Sequence, residues 1–238
     1  MLRPLKVTFE LDTPMMVAAY PLHLDALLAF AVTKSAMSGM SMEGVPDSSI
    51  RALASELPFA RHEQNGEWVW KASALIPEVE GEQSVRMWTR KTNTSDFARR
   101  AAAGTLDIST RTKNALASGV MYAGTIDTSR GLLKNQFEFY PVKEVFQLSA
   151  WCIGDIDLIE TLLAPESGFI THLGKRGRIG HGRIRSVEME ECLQAEEKWK
   201  LRVLPWAESE AYTPIHAACR APYWAIENRQ PAFVPVVL

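Results

Sequence analysis

The chain has 238 residues and a formal net charge of −2, with 47% hydrophobic and 23% charged residues. These values are typical of a globular protein, so they argue against a disordered chain and exclude a chain that is basic throughout. A nucleic-acid-binding function would therefore require a local basic patch.

The first predicted elements are a strand and a helix. Apolar and polar residues alternate over residues 5–11, which predicts a half-buried strand. Over residues 23–37 apolar residues recur at the spacing of a helix that packs on a core. They are Leu24, Leu27, Leu28, Ala31 and Val32.

A hairpin and a further strand follow. Asn65-Gly66 is a strong turn signal between two short apolar runs, which predicts a hairpin over residues 57–70. Alternation then predicts a strand over residues 84–91, with Arg86, Trp88 and Arg90 on one face. Val85, Met87 and Thr89 would lie on the opposite face.

Residues 92–118 break this periodicity and are rich in Thr, Ser, Ala, Asn and Gly. We predict a mobile, solvent-facing insertion here, with one short helix near residues 96–103. Strands are expected to resume at residues 120–125, 137–140 and 145–153.

The last third begins with a helix that starts after Gly154-Asp155. A glycine-rich basic segment then leads into a strand at residues 182–189, and residues 199–204 are a candidate for one more strand. We expect an irregular tail over residues 205–238. This order of elements predicts one α+β domain over residues 1–238, with a ferredoxin-like (RRM-like) core, a basic insertion between its halves and extra strands.

The segment 174–182, GKRGRIGHG, carries the clearest functional signal. Its glycines, Gly174, Gly177, Gly180 and Gly182, let the backbone approach another surface and expose its N–H groups. Residues 171–186 contain five cations and no carboxylate, a combination that suits phosphates. The cations are Lys175, Arg176, Arg178, Arg183 and Arg185, and His181 lies among them.

Other glycine motifs fit this segment less well. The order G-x-x-G-x-G is not the dinucleotide fingerprint, and the segment precedes a strand rather than a helix. It lacks the G-K-[ST] ending of a P-loop. Its two GxxG stretches do not lie between helices, as they would in a KH domain. A basic surface turn ahead of a strand remains the alternative.

A second basic stretch runs over residues 86–134, where nine cations face three carboxylates and aromatic residues interleave. Cations beside aromatic platforms suit single-stranded nucleic acid, although a charged stretch is also compatible with a solvated face. The candidate contacts here are Arg86, Trp88, Arg90, Lys91, Arg111 and Lys113.

Catalytic and metal motifs are weak in this sequence. The five histidines form neither HxxxH nor HExxH, and the three cysteines have no CxxC spacing, so we expect no metal and no cofactor. His172 and His181 flank the glycine-rich segment and are expected to line it as RNA contacts. A role for one of them as a general base on a 2′-hydroxyl is the alternative.

The compartment follows from similar considerations. The odd number of cysteines argues against a disulfide framework. The apolar runs are shorter than the roughly 20 residues of a membrane helix, and no signal-peptide core is found. We expect a cytoplasmic protein without membrane contact.

Three stretches of the sequence resemble the RAMP superfamily of CRISPR proteins. They are PLHLDALLAFAV (21–32), EWVWKAS (67–73) together with RMWTRK (86–91), and THLGKRGRIGHGRI (171–184). Within that superfamily they look like the Cas5-like subunit of type IV effector complexes that caps the 5′ handle of the guide RNA (crRNA).

The resemblance implies a non-catalytic subunit that binds the crRNA 5′ handle and docks on the backbone and large subunits. It also implies that Lys175, Arg176, Arg178, His181 and Arg183 hold the handle and that residues 92–118 form a thumb-like insertion. Target DNA near the handle end is a further possible contact. Two alternatives stay open, a metal-independent endoribonuclease that processes precursor RNA and a structural subunit that binds an acidic protein.

Overall fold

The computed structural model describes residues 1–16, 21–37, 46–91 and 134–236, together with the isolated residues 93, 95, 99, 103 and 129. The chain divides into two compact units. Unit 1 comprises Met1–Ser84 and Val142–Leu238, and unit 2 comprises Val85–Pro141. The sequence predicts one domain with an insertion at 92–118, so unit 2 extends beyond the predicted insertion on both sides.

The described residues form nine strands and four α-helices. In chain order they are β1 (Leu2–Leu11), β2 (Met15–Met16), α1 (Leu24–Ala36), α2 (Asp47–Ala54), β3 (Arg61–Gln64), β4 (Glu67–Trp70), β5 (Ile76–Arg90), β6 (Gln136–Asp155), α3 (Ile156–Leu163), β7 (Ile184–Glu191), α4 (Ala195–Lys198), β8 (Tyr212–Ala218) and β9 (Arg229–Pro235). The protein is therefore a mixed α and β structure, as predicted.

The main sheet is built around β1. This strand pairs antiparallel with β6 on one side and with β7 on the other. β6 also pairs with β2 and with β5, so the long strands lie in the order β5, β6, β1, β7. Leu5, Val7 and Phe9 on one face of β1 are completely buried, which confirms the predicted alternation.

Helices α1 and α3 bury their apolar sides in the same core as β1. Leu24 and Leu28 of α1 and Ile159 of α3 are fully buried, and burial of each such side chain contributes roughly 1.5–3 kcal/mol. The Asp155 carboxylate caps α3 by accepting a hydrogen bond from the Leu158 N–H at 3.4 Å. The predicted helix start after Gly154-Asp155 is therefore confirmed.

The predicted Asn65-Gly66 hairpin is also confirmed, as β3 and β4 pair antiparallel across it. Both turn residues have positive φ, 54° and 79°, which is the requirement of a type I′ turn.

Several predicted elements differ from the structure. Residues 137–140 and 145–153 belong to one continuous strand, β6, because Pro141 does not interrupt the sheet. The predicted strand at 199–204 is wrong, since Trp199 caps α4 and only Leu204 forms an isolated bridge, with Phe233. The predicted strand at 120–125 lies outside the described residues.

The C-terminal segment requires a further correction. The sequence predicts an irregular tail over 205–238, but β8 and β9 pair there as an antiparallel hairpin. Its Ala232 is buried in a second core with Trp199 and Leu204.

Within the described ranges, no helix is long and apolar enough to cross a membrane.

Candidate nucleic-acid interface

The glycine loop, defined as residues 174–182, is closed at its base by backbone hydrogen bonds. The Leu173 N–H donates to the carbonyl of Gly182 at 2.7 Å, and the Ile184 N–H donates to the carbonyl of Thr171 at 3.0 Å. Leu173 is fully buried. The base of the loop is therefore fixed by backbone hydrogen bonds and is anchored in the core through Leu173.

Further hydrogen bonds join the loop to the segment that follows β1. The Gly182 N–H donates to the carbonyl of Pro14 at 3.0 Å, and the Asp12 N–H donates to the carbonyl of Arg183 at 2.9 Å. The Arg183 N–H donates to Thr13 Oγ1 at 2.8 Å. Because the loop is held on two sides, it loses less conformational entropy when a ligand binds.

Two glycines of the loop are required by close contacts. At Gly182, where φ is +67°, a Cβ would lie 2.1 Å from the carbonyl oxygen of Leu173. At Gly177 a Cβ would lie 2.9 Å from the Cβ of His172. Contacts this short are not tolerated between a Cβ and its neighbours, so both positions require glycine.

Arg176 has a φ of +62°, in the left-handed region. This conformation costs an L-residue roughly 1–2 kcal/mol. Such positions persist where the surrounding structure imposes them, and they concentrate at functional sites. The loop therefore holds Arg176 in a conformation that its own local preference disfavours.

Three predicted RNA contacts are exposed cations. Lys175, Arg178 and Arg185 form no ion pair with any other described residue. Arg176, another cation of the loop, is half-buried. In the described part of the chain, the backbone N–H groups of Gly177 and Arg178 donate to no acceptor. Unpaired cations beside open N–H donors are suited to phosphate oxygens.

Two other predicted contacts have protein partners at the base of the loop. The Arg183 guanidinium pairs with Asp12 at 2.8 Å, and His181 Nδ1 donates to the carbonyl of Pro14 at 3.2 Å. An exposed ion pair contributes only about 0–1 kcal/mol. Arg183 can therefore exchange Asp12 for a phosphate at little cost, while His181 helps to hold the loop.

His172, the other candidate general base, also lies at the base of the loop. Its Nδ1 is 2.9 Å from Thr171 Oγ1, and its backbone bridges Arg183. The ring is thus oriented by its neighbour and packs beside Gly177.

The second predicted group belongs to unit 2 and is described by itself. Arg86, Trp88 and Arg90 alternate along β5, and Lys91 follows the strand. The three cations are exposed and Trp88 is half-buried. Arg111 and Lys113 lie outside the described residues, so their predicted contacts stay predictions.

Unit 2 also contains an aromatic pair that the sequence analysis did not single out. Phe137 and Phe139 of β6 are 64% and 63% exposed, and their rings meet edge to face at 5.1 Å. The signal was available, because an F-x-F pattern in a strand places both rings on one face. Exposed rings of this kind are suited to stacking with unpaired bases.

Unit 1 contains a buried polar network that the sequence pattern does not predict. The Arg202 guanidinium is fully buried and donates to the Asp25 carboxylate at 3.1 Å. It also donates to the carbonyls of Trp70 and Cys219, both at 2.7 Å, and to the Tyr223 hydroxyl at 2.8 Å. Burial alone would lower the pKa of Arg202, but the Asp25 charge raises it. The network joins α1 to the C-terminal segment.

His23 lies beside this network and is held neutral. Burial, and then the charge of Arg202, hold the pKa of His23 well below its ordinary value. Its Nε2 accepts a hydrogen bond from the Val203 N–H at 3.1 Å, and its ring stacks on Tyr223 at 4.7 Å. These contacts give His23 a structural role at the start of α1.

No group of three or more potential ligands among the described residues is arranged to hold a metal ion.

The sequence matches a known protein family. A protein-family model described as "CRISPR type IV associated protein Csf3" matches residues 3–235. No curated protein sequence matches the chain. The family match spans the main sheet, the glycine loop and the C-terminal hairpin.

Proposed function

The chain belongs to the Csf3 family of CRISPR type IV associated proteins, and from this premise we propose that it binds guide RNA and grips the 5′ handle with its glycine loop. The observation that carries the proposal is the pair Lys175 and Arg178. These exposed cations have no described carboxylate partner, and they lie on a loop that is fixed at its base. Association with type IV CRISPR systems implies a complex with other CRISPR components.

The chemistry of the loop is suited to two tasks, holding the phosphates of a single strand and reading its bases. Lys175 and Arg178 would form charge-assisted hydrogen bonds with phosphates, which set the register of the strand. The N–H groups of Gly177 and Arg178 would supply further donors. Bases splayed from a single strand would then be read by neighbouring side chains, which supply sequence preference.

The arrangement of the sheet supports a ferredoxin-like RAMP core. In that plan two β-α-β halves form one antiparallel sheet. Here β1, α1 and β5 correspond to the first half, and β6, α3 and β7 correspond to the second. The order β5, β6, β1, β7 brings the first and last of these strands together. The fold alone does not determine function, so the proposal depends on the glycine loop.

Membership of an effector complex suggests specific partners. We propose that the protein caps the backbone filament and contacts the large subunit. Residues 92–118, most of which lie outside the described residues, are proposed to contact RNA or the backbone subunit. Target DNA near the handle end is a further proposed neighbour. These partners follow from the family resemblance, whereas RNA binding also has support from the loop itself.

We propose that the protein is not a nuclease, and an endoribonuclease function is the alternative. His172 lies at the base of the loop, but its Nδ1 is engaged with Thr171. Incubation of purified protein with repeat RNA in EDTA separates the two functions. Site-specific cleavage that is lost in His172→Ala or His181→Ala would contradict the non-catalytic proposal.

A structural subunit that binds an acidic protein is the other alternative. Nuclease treatment of the purified complex followed by size-exclusion chromatography distinguishes it from an RNA-binding subunit. The proposal predicts that this subunit leaves the complex when the RNA is digested. Retention after complete digestion would favour the protein partner.

The proposal itself is tested with a fluorescently labelled handle RNA and purified full-length protein. Lys175→Ala/Arg178→Ala should bind at least tenfold more weakly than the wild type, while Arg3→Ala/Lys198→Ala should bind normally. Equal affinity of both double variants would contradict the proposal.

A further inference from the structure

A cavity of about 220 Å³ lies in unit 1 between the start of α1 and the C-terminal hairpin. Its walls include Pro21, His23, Ala26, Ala218, Tyr223 and Arg229. The described residues that line it include no carboxylate. The glycine loop does not contribute to it, so the cavity is a separate feature of the surface.

The size and walls of the cavity are suited to a small aromatic ring. An apolar cavity of about 150 Å³ accommodates one benzene molecule, so this one has room for a single nucleobase. His23 and Tyr223 form a stacked pair in its wall, with centroids 4.7 Å apart and planes 15° apart. The Tyr223 hydroxyl donates to Asp25 at 2.9 Å, which fixes the ring. His23 is kept neutral, so this wall is uncharged.

The edge of the cavity is polar and basic. Arg229 of β9 pairs in register with Ala218 of β8, and His216 lies two residues earlier on the same face of the hairpin. His216 and Arg229 are both exposed, and Arg229 forms no ion pair with another described residue. A guanidinium beside an apolar, aromatic-walled cavity is suited to a nucleotide, with the base inside and a phosphate outside.

The cavity also lies within reach of the glycine loop. Met16 forms a bridge with Lys175 of the loop, and Pro21 lines the cavity. Five residues of chain span at most about 18 Å, which limits the separation of Met16 and Pro21. One short single-stranded segment can therefore contact both features.

We propose that this cavity takes one splayed nucleobase of the RNA held by the glycine loop, with Arg229 contacting an adjacent phosphate. The inference rests on the proposed function, because it requires that the loop binds RNA. The cavity would add a second contact, which recognises a base, whereas the glycine loop contacts the phosphate backbone.

The test uses a series of labelled handle RNAs in which each nucleotide in turn lacks its base. The cavity is filled by Ala26→Phe, and Ala36→Phe on the exposed side of the same helix is the matched control. For the wild type and the control, one abasic position should cost about tenfold or more in affinity, because a stacked base contributes roughly 1–3 kcal/mol. Ala26→Phe should bind the intact RNA correspondingly more weakly and should not distinguish that abasic RNA.

Arg229→Gln provides a second measurement that leaves the core intact. It should weaken binding and reduce the salt dependence by about one phosphate contact, whereas Arg3→Gln should do neither. If Ala26→Phe and Arg229→Gln both bind like the wild type while Lys175→Ala/Arg178→Ala is impaired, the cavity proposal is wrong and the proposed function stands. If the wild type binds no handle RNA, both are wrong.

Discussion

Gly182 and Leu173 close the glycine loop through direct contact between their backbones. The Leu173 N–H donates to the Gly182 carbonyl at 2.7 Å, and a Cβ on Gly182 would lie 2.1 Å from the Leu173 carbonyl oxygen. The two backbones are therefore in direct contact. The shape of the loop depends on the absence of a side chain at this position.

Gly182→Ala should lower the free energy of unfolding by about 3 kcal/mol, because it adds a backbone clash to a strained positive φ. The matched control is Gly180→Ala, where φ is +91° and nothing lies within 4 Å of the added Cβ. The control should lose only about 1–2 kcal/mol. Chemical denaturation measures both, and equal losses would contradict the close contact at Gly182.

Arg202→Ala should lower the free energy of unfolding by about 3–5 kcal/mol, because it leaves the Asp25 carboxylate buried without its cation. Lys200→Ala removes a nearby cation whose pair with Glu208 is partly exposed. That control should cost less than about 1 kcal/mol. Similar losses in urea denaturation would show that the Arg202 network is not a structural requirement.

His23 should make the protein less stable in mild acid. Burial and the Arg202 charge keep the folded-state pKa of His23 well below 6.5, so the unfolded chain binds a proton that the folded chain does not. Stability is therefore fully present above about pH 6.5 and falls below it, by up to about 1.4 kcal/mol per pH unit.

His23→Gln should flatten the pH dependence of unfolding between pH 6.5 and pH 5. Leu24→Val, a buried neighbour that does not titrate, lowers stability without removing the proton site and should keep the wild-type slope. Parallel curves for the wild type and His23→Gln would argue against a neutral, buried His23.

Asp12→Asn should increase the affinity for handle RNA by up to about fivefold at low salt, because it releases Arg183 from its ion pair and removes a negative charge beside the loop. Glu191→Gln on β7, which releases Arg3 of β1 from its ion pair, is the matched control and should have no effect. Fluorescence anisotropy measures both. Weaker binding by Asp12→Asn would mean that the pair positions the loop instead of restraining Arg183.

The local sequence pattern was sufficient to predict those elements whose structure is determined by their own residues. The alternation in β1, the helical spacing of α1 and the Asn65-Gly66 turn were each predicted, because burial and turn geometry are visible within a few residues. The glycine loop was recognised from its composition. Its attachment to Asp12 and Pro14 was not, because those contacts join residues that are distant in sequence.

The C-terminal segment shows where such patterns fail. Pro214 and Pro231 suggested an irregular tail, but they lie in β8 and β9. Proline is tolerated in strands at the edge of a sheet, and among the described residues this sheet consists of these two strands. Arg202 has the sequence signature of a surface residue. It is buried because Asp25, far away in the chain, supplies the opposite charge, and no local pattern predicts such a pair.

The most direct test of RNA binding through the glycine loop is the salt dependence of handle affinity. For single strands, each phosphate contact contributes about 0.7 to the slope of log affinity against log salt concentration. Removing two contacts in Lys175→Ala/Arg178→Ala should therefore make the slope shallower by about 1.4 and weaken binding at every salt concentration. Arg3→Ala/Lys198→Ala should keep the wild-type slope. An unchanged slope and affinity in Lys175→Ala/Arg178→Ala would contradict the assignment of the loop as the handle grip.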